Sequence, residues 1–173
     1  MILVLIGYMG SGKSTIGKAL AKSLSYRFLD LDDYISEQES ASVSEIFKTK
    51  GEIYFRKKEM THLKAILNAE EDTVLALGGG TPCYGNNMSI ITESDNVKSF
   101  YLKLSIPNLV TRLSKEKDHR PLISHLQTKE DLTEFIGKHL FERSAYYSEA
   151  DHVLVTDHKT PQEIIEAIET QLI

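Results

Sequence analysis

The stretch Gly7 to Thr15, GYMGSGKST, decides the fold. It follows an unbroken apolar run, Ile2 to Ile6 (ILVLI), and opens a helical pattern from Ile16 to Leu24. A Gly-x-x-x-x-Gly-Lys-Ser run between a strand and a helix is the setting of a phosphate-binding P-loop. Gly7, Gly10 and Gly12 let the backbone wrap closely and turn its N–H groups inward. The helix beginning near Lys13 adds its positive end. Lys13 supplies a point charge to β- and γ-phosphates, and Ser14 offers a hydroxyl to Mg²⁺. The plain alternative is a tight strand–helix turn with a solvated lysine. The complete motif between the right flanks argues against it.

Around this loop the chain reads as one domain, 1–173. A 173-residue chain with 41% apolar and 26% charged residues can bury a core of ordinary size. Its formal charge of −5 argues against broad nucleic-acid or anionic-membrane binding, so its cations are local devices. The single cysteine, Cys83, excludes an internal disulfide framework and reads as an inert small filler. The apolar runs are too short to span a bilayer, and no signal-peptide pattern precedes the first strand, so a cytoplasmic protein is expected. The six histidines are scattered without metal-ligand spacing.

Ile2 to Ile6, apolar at every position, predicts a strand buried on both faces, as in a central parallel strand. Arg27 to Asp30 predicts the second strand. Asp30 and Asp32 are two residues apart and would share one side of an extended segment. Carboxylates at a strand's carboxyl end, near a P-loop, suit Mg²⁺ handling and hydroxyl recognition. Aspartate is also a favoured helix N-cap, and that role before Tyr34 to Glu39 falls first to Asp33, next to Asp32 and last to Asp30. Ser42 and Glu45 have capping-box spacing ahead of Ile46 and Phe47. Gly51 separates that short helix from a longer one, about Glu52 to Asn68. In its charge run, Lys57 and Lys58 fit a solvated face, and Arg56 matters only if its head reaches the crevice.

Thr73 to Leu77 predicts a third strand ending in Gly78, Gly79 and Gly80, which remove side chains where something must come close. Val97 to Leu104 and His152 to Val155 predict the fourth and fifth. Helices are expected at Asn86 to Glu93, Pro107 to Leu113, Lys129 to Tyr147, and after Thr160-Pro161 with a capping box to Glu163. The polar stretch 115–130, with Arg120 held out of helix by Pro121, is the expected lid. Arg143 has C-terminal capping as its ordinary role. Strands alternating with helices predict an α/β fold of three layers with a five-stranded, mainly parallel sheet.

These pieces together resemble the shikimate kinase family of the P-loop nucleoside-monophosphate-kinase-like group. GSGKST, FLDLD, GEIYFRKKE, LGGG, HRPL and ERSAYY come in order at matching distances, over essentially the whole chain. The resemblance implies strand order 2-3-1-4-5, a mobile substrate-binding region at about 33–58 and a lid at about 115–130. It implies ATP phosphates on Gly10, Ser11, Gly12, Lys13, Ser14 and Thr15, with Mg²⁺ on Ser14 and Asp30. It implies that Asp32 bonds the acceptor hydroxyl, Arg56 and Arg143 grip the shikimate carboxylate, and Gly78 to Gly80 approach the substrate. Arg120 is implied to reach the ATP phosphates from the lid, and Arg112 to lie near the adenine. Lys13, Asp32 and Arg120 are then the catalytic set. The partners implied are ATP and shikimate, acting on a monomer in aromatic amino-acid (chorismate) biosynthesis. Thr81 to Tyr84 departs from the family's usual sequence, and Thr156 to Lys159, where the adenine side would fall, holds no arginine. The rivals are a related kinase of gluconate or nucleotides, and a nucleotide-binding module without catalysis. The triple glycine with paired arginines favours the first reading over a gluconate or nucleotide kinase. An intact Lys13, Ser14, Asp30, Asp32 and Arg120 argue against the inactive module.

Overall fold

A computed structural model describes residues 1–116, 120 and 122–172. The strands are β1 (Ile2–Ile6), β2 (Arg27–Asp30), β3 (Thr73–Ala76), β4 (Val97–Lys103) and β5 (His152–Val155). They form one sheet in the order β2-β3-β1-β4-β5, with every pairing parallel. The predicted strand order is therefore observed. The helices are α1 (Lys13–Leu24), α2 (Leu31–Glu39), α3 (Val43–Lys50), α4 (Glu52–Leu67), α5 (Asn87–Thr92), α6 (Ile106–Leu113), α7 (Lys129–Tyr147) and α8 (Pro161–Thr170).

The unbroken apolar run of β1 has a direct structural counterpart. Ile2, Val4 and Ile6 enter one core, packed with residues of α2 to α7. Leu3 and Leu5 enter a second, built with Ile16 and Leu20 of α1 and Ile164, Ile165 and Ile168 of α8. The sheet is thus covered on both faces, which an all-parallel sheet requires. Both expected capping boxes form. Ser42 Oγ accepts from Glu45 N at 3.2 Å while Ser42 N donates to Glu45 Oε2 at 2.8 Å. Thr160 and Glu163 repeat this at α8. Phe141, part of the apolar pattern of α7, points outward and is 85% exposed.

The junction after β2 differs from expectation. Asp30, the last choice as a cap, is the N-cap: its Oδ1 accepts from Asp32 N at 3.2 Å. The helix starts at Leu31, three residues before Tyr34, because a capping side chain at the final strand residue lets the chain turn directly into helix. Asp32 consequently stands in the first helical turn and not on an extended segment. No helix among the described residues is long and apolar enough to cross a membrane. The expected lid falls partly outside the described residues, including His119 and Pro121.

Candidate active site

Parallel pairing aligns the strand ends, so the turns after β1, β2 and β3 meet at one sheet edge. There a cleft of about 360 Å³ is lined by Gly10, Gly12, Lys13, Ser14 and Thr15 of the P-loop. Asp30 and Asp32 after β2, Gly78 and Gly79 after β3, and Arg112 and Arg120 share the lining. Gly12 is left-handed (φ 98°) where the loop enters α1, and Gly10 is as well (φ 78°). A Cβ on Gly10 would also press Leu113 at 3.0 Å. Ser11 turns inward: it is 3% exposed and its Oγ has no hydrogen-bond partner, so only its backbone faces a ligand.

Lys13 Nζ donates to the carbonyls of Gly7 (2.8 Å) and Tyr8 (3.0 Å), which holds it across the loop. Burial lowers its pKa from 10.5 to about 8, against the pull of Asp30 and Asp32. A phosphate arriving there would restore the favourable charge. Ser14 Oγ donates to Asp30 Oδ2 at 2.8 Å. Asp30 thus uses one oxygen to cap α2 and the other to orient Ser14. Asp32 has its pKa raised from 3.8 to about 6, first by burial and then by Asp30 and Glu59.

The three glycines after β3 each face a different polar head. A Cβ on Gly78 would lie 2.8 Å from Asp32 Oδ1, and one on Gly80 would lie 2.7 Å from Arg56 Nη2. One on Gly79 would lie 3.4 Å from Arg143 Nη1. The glycine run therefore makes room for the carboxylate and both arginines at once. Gly79 O accepts from Tyr147 Oη at 2.5 Å, which ties the run to α7. Arg143 stands at Gly79 and not in a capping role, since no basic side chain serves the last turn of α7. Tyr147 is fully buried and packs in the core, while Tyr146 beside it is 40% exposed.

Arg56 does leave the solvated face of α4. Its Nη1 donates to Glu59 Oε2 at 2.8 Å, and Glu59 is completely buried. Thr81 Oγ1 satisfies the other Glu59 oxygen at 2.6 Å, and Asn87 holds Thr81 O at 2.8 Å. Sequence reasoning missed Glu59, although its i,i+3 spacing from Arg56 was a usable signal. Lys57 is exposed as expected, whereas Lys58 pairs with Glu39 at 2.9 Å. Arg120 donates through Nε to Glu116 Oε2 at 3.0 Å, and Arg112 donates to Gly10 O at 3.1 Å. Glu116 was also missed. Thr156 to Lys159 forms the turn after β5, where Asp157 accepts from Ser105 N at 3.2 Å.

Comparison with known proteins bears on this arrangement. The Shikimate kinase family model matches residues 9–173. The shikimate kinase of Flavobacterium psychrophilum is 47% identical over 166 residues, 96% of this chain and 95% of its own.

The chain belongs to the shikimate kinase family.

The crystal structure of the shikimate kinase from Bacteroides thetaiotaomicron superposes with a TM-score of 0.90 at 31% identity. The match covers 99% of this chain and 98% of that one. The shikimate kinase from Acinetobacter baumannii, solved in complex with shikimate, gives a TM-score of 0.85 at 28% identity over 99% of this chain and 92% of its own. The shikimate kinase family match thus spans nearly all of this chain.

Proposed function

We propose that this enzyme transfers the γ-phosphoryl group of ATP to the 3-hydroxyl of shikimate, giving shikimate 3-phosphate and ADP. In this role it contributes a step to aromatic amino-acid (chorismate) biosynthesis. The observation that carries the reading is the glycine run, which meets Asp32, Arg143 and Arg56 at successive positions, with Asp32, Gly78 and Gly79 also lining the P-loop cleft. An acceptor that needs two arginines is an acid, and an acceptor that needs a carboxylate beside the phosphate site is an alcohol.

Phosphoryl transfer needs positioning and charge stabilisation more than covalent help. In this reading the P-loop amides and Lys13 hold the donor phosphates, and Arg120 exchanges Glu116 for phosphate oxygens when the lid at about 115–130 closes. Asp32 orients the attacking hydroxyl and receives its proton. With a pKa near 6 it is ionised at neutral pH and still basic enough for that task. Arg56 and Arg143 fork onto the substrate carboxylate. Arg112 lies beside the loop, on the nucleotide side. The region 33–58 carries Arg56 and adjusts around the acid.

Ser14 and Asp30 present only hard oxygens, 2.8 Å apart, beside Lys13, a donor pair that suits Mg²⁺ completed by phosphate and water. When bound, Mg²⁺ neutralises charge on the β- and γ-phosphates. In this reading the enzyme acts as a monomer in the cytoplasm.

A coupled ATP assay across shikimate, quinate, gluconate and nucleoside monophosphates tests the reading. We expect shikimate to give by far the highest kcat/KM. Equal or greater turnover of gluconate or a nucleotide would reject it.

A further inference from the structure

Arg56 is already flanked by two carboxylates, and the way one of them is restrained bears on how the site admits a third. Glu59 takes Nη1 at 2.8 Å. Arg56 Nε is buried and has no hydrogen-bond partner. The nearest carboxylate oxygen to it is Glu52 Oε1, one helical turn back, at 3.5 Å. That same oxygen accepts from Tyr84 Oη at 2.7 Å. The Tyr84 ring lies over the guanidinium, with Cζ 3.8 Å from its centroid. Tyr84 therefore touches both sides of the pair: its ring stacks on Arg56 and its hydroxyl engages Glu52.

We propose that Tyr84 and Glu52 set the acid affinity of the site: the Tyr84 hydroxyl holds Glu52 at 3.5 Å, short of a hydrogen bond to Arg56 Nε, so that Glu52 can yield that covered edge of the guanidinium to an incoming carboxylate. This rests on the reading of Arg56 as a carboxylate clamp. A carboxylate fits the Nε–Nη2 edge of a guanidinium through two parallel hydrogen bonds. Glu52 sits at the entrance to that edge and is a competitor for it. A charge-assisted O–H···O⁻ bond is the restraint that stops the competitor closing. Glu52 and Tyr84 lie on the rim, with the Glu52 side chain 51% exposed and Tyr84 37% exposed. Neither supports the core, so both tolerate conservative change.

The test is steady-state kinetics of Tyr84→Phe, Glu52→Gln, the double variant and Arg56→Lys, each checked by thermal melting. Tyr84→Phe keeps the stacked ring and frees Glu52. It should raise KM for shikimate about fivefold while kcat and KM for ATP stay within twofold of the parent. Glu52→Gln, which removes the competing charge, should leave KM at or below the parent value. The double variant should match Glu52→Gln, so the tyrosine hydroxyl becomes irrelevant once Glu52 is neutral. A merely structural tyrosine would not show that rescue. An unchanged KM in Tyr84→Phe, or an increase that persists in the double variant, overturns the proposal while Arg56→Lys still raises KM at least tenfold. An unchanged KM in Arg56→Lys removes the clamp itself, and the proposal with it.

Discussion

At the scale of a single residue, the proposed mechanism puts the chemistry on Asp32, and its carboxyl sits at a disadvantage in the folded state. Its pKa is near 6 when folded and near 3.8 when not. Above pH 6 both states are ionised and the fold bears the full penalty. As pH falls from 6 towards 3.8 the folded state protonates first and the penalty is relieved. Asp32 is therefore destabilising at neutral pH, by at most roughly 3 kcal/mol. Asp32→Asn should lower kcat by about 10²–10⁴-fold. It should also melt at higher temperature than the parent at pH 7.5, with the gain vanishing near pH 4. The parent kcat/KM for shikimate should fall with acid along one ionisation near pH 6. A variant with lost activity and lost stability together at pH 7.5 would place Asp32 in a structural role. Residues in this region were legible in the sequence by kind more than by position. The Asp30/Asp32 pair was visible as two carboxylates near a P-loop. Which one capped the helix was not, because Asp30 caps through a strand that ends with no intervening loop. Glu59 was hidden for a different reason. Its i,i+3 spacing from Arg56 was the one local signal, whereas its burial depends on Thr81, which the fold brings in from 22 residues away.

Among elements, the P-loop and the glycine turn after β3 do opposite work. The P-loop wraps its backbone to receive a phosphate, while the glycine turn stands aside for three side chains. Gly78, Gly79 and Gly80 have no left-handed backbone, so alanine is tolerated conformationally at each. A methyl on Gly80 would press the head of Arg56, and one on Gly78 would press the Asp32 carboxylate and, at 3.1 Å, the buried Thr81 Oγ1, so a site side chain must shift in each case. The main consequence is expected in function. Gly80→Ala should fold with a melting temperature within a few degrees of the parent. It should raise KM for shikimate about tenfold or more by displacing Arg56. Gly78→Ala should act mainly on kcat by displacing Asp32. Gly79→Ala, whose methyl would make an ordinary 3.4 Å contact with Arg143, should be the mildest of the three. Equal effects of all three on stability would show that the run serves the turn and not the site. The elements were legible in the sequence because each carries local chemistry: β1 is apolar throughout, and Ser42 and Thr160 open helices with their own capping boxes. That Gly78, Gly79 and Gly80 are assigned one each to Asp32, Arg143 and Arg56 depends on α2, α7 and α4 converging, which no local pattern encodes.

Across the whole molecule, parallel order places the donor loop after β1 between the turns that follow β3 and β4 in the sheet. Both faces of β1 are buried, each in its own core, and the P-loop follows directly from that strand. The proposed acceptor groups come from α2, α4 and α7 on one side of that sheet, and Arg120 lies in the segment between α6 and α7. Donor and acceptor halves are thus held by different parts of one framework. A charge-to-charge bond contributes about 1.5–3 kcal/mol, so two arginines on one carboxylate distinguish an acid from its neutral analogue by a wide margin. The most direct measurement is kcat/KM for shikimate against shikimate methyl ester, which keeps the hydroxyls and removes the negative charge. The account predicts a loss of at least about a hundredfold for the ester, confined to the acceptor, with KM for ATP unchanged. Equal kcat/KM for the acid and the ester would contradict it.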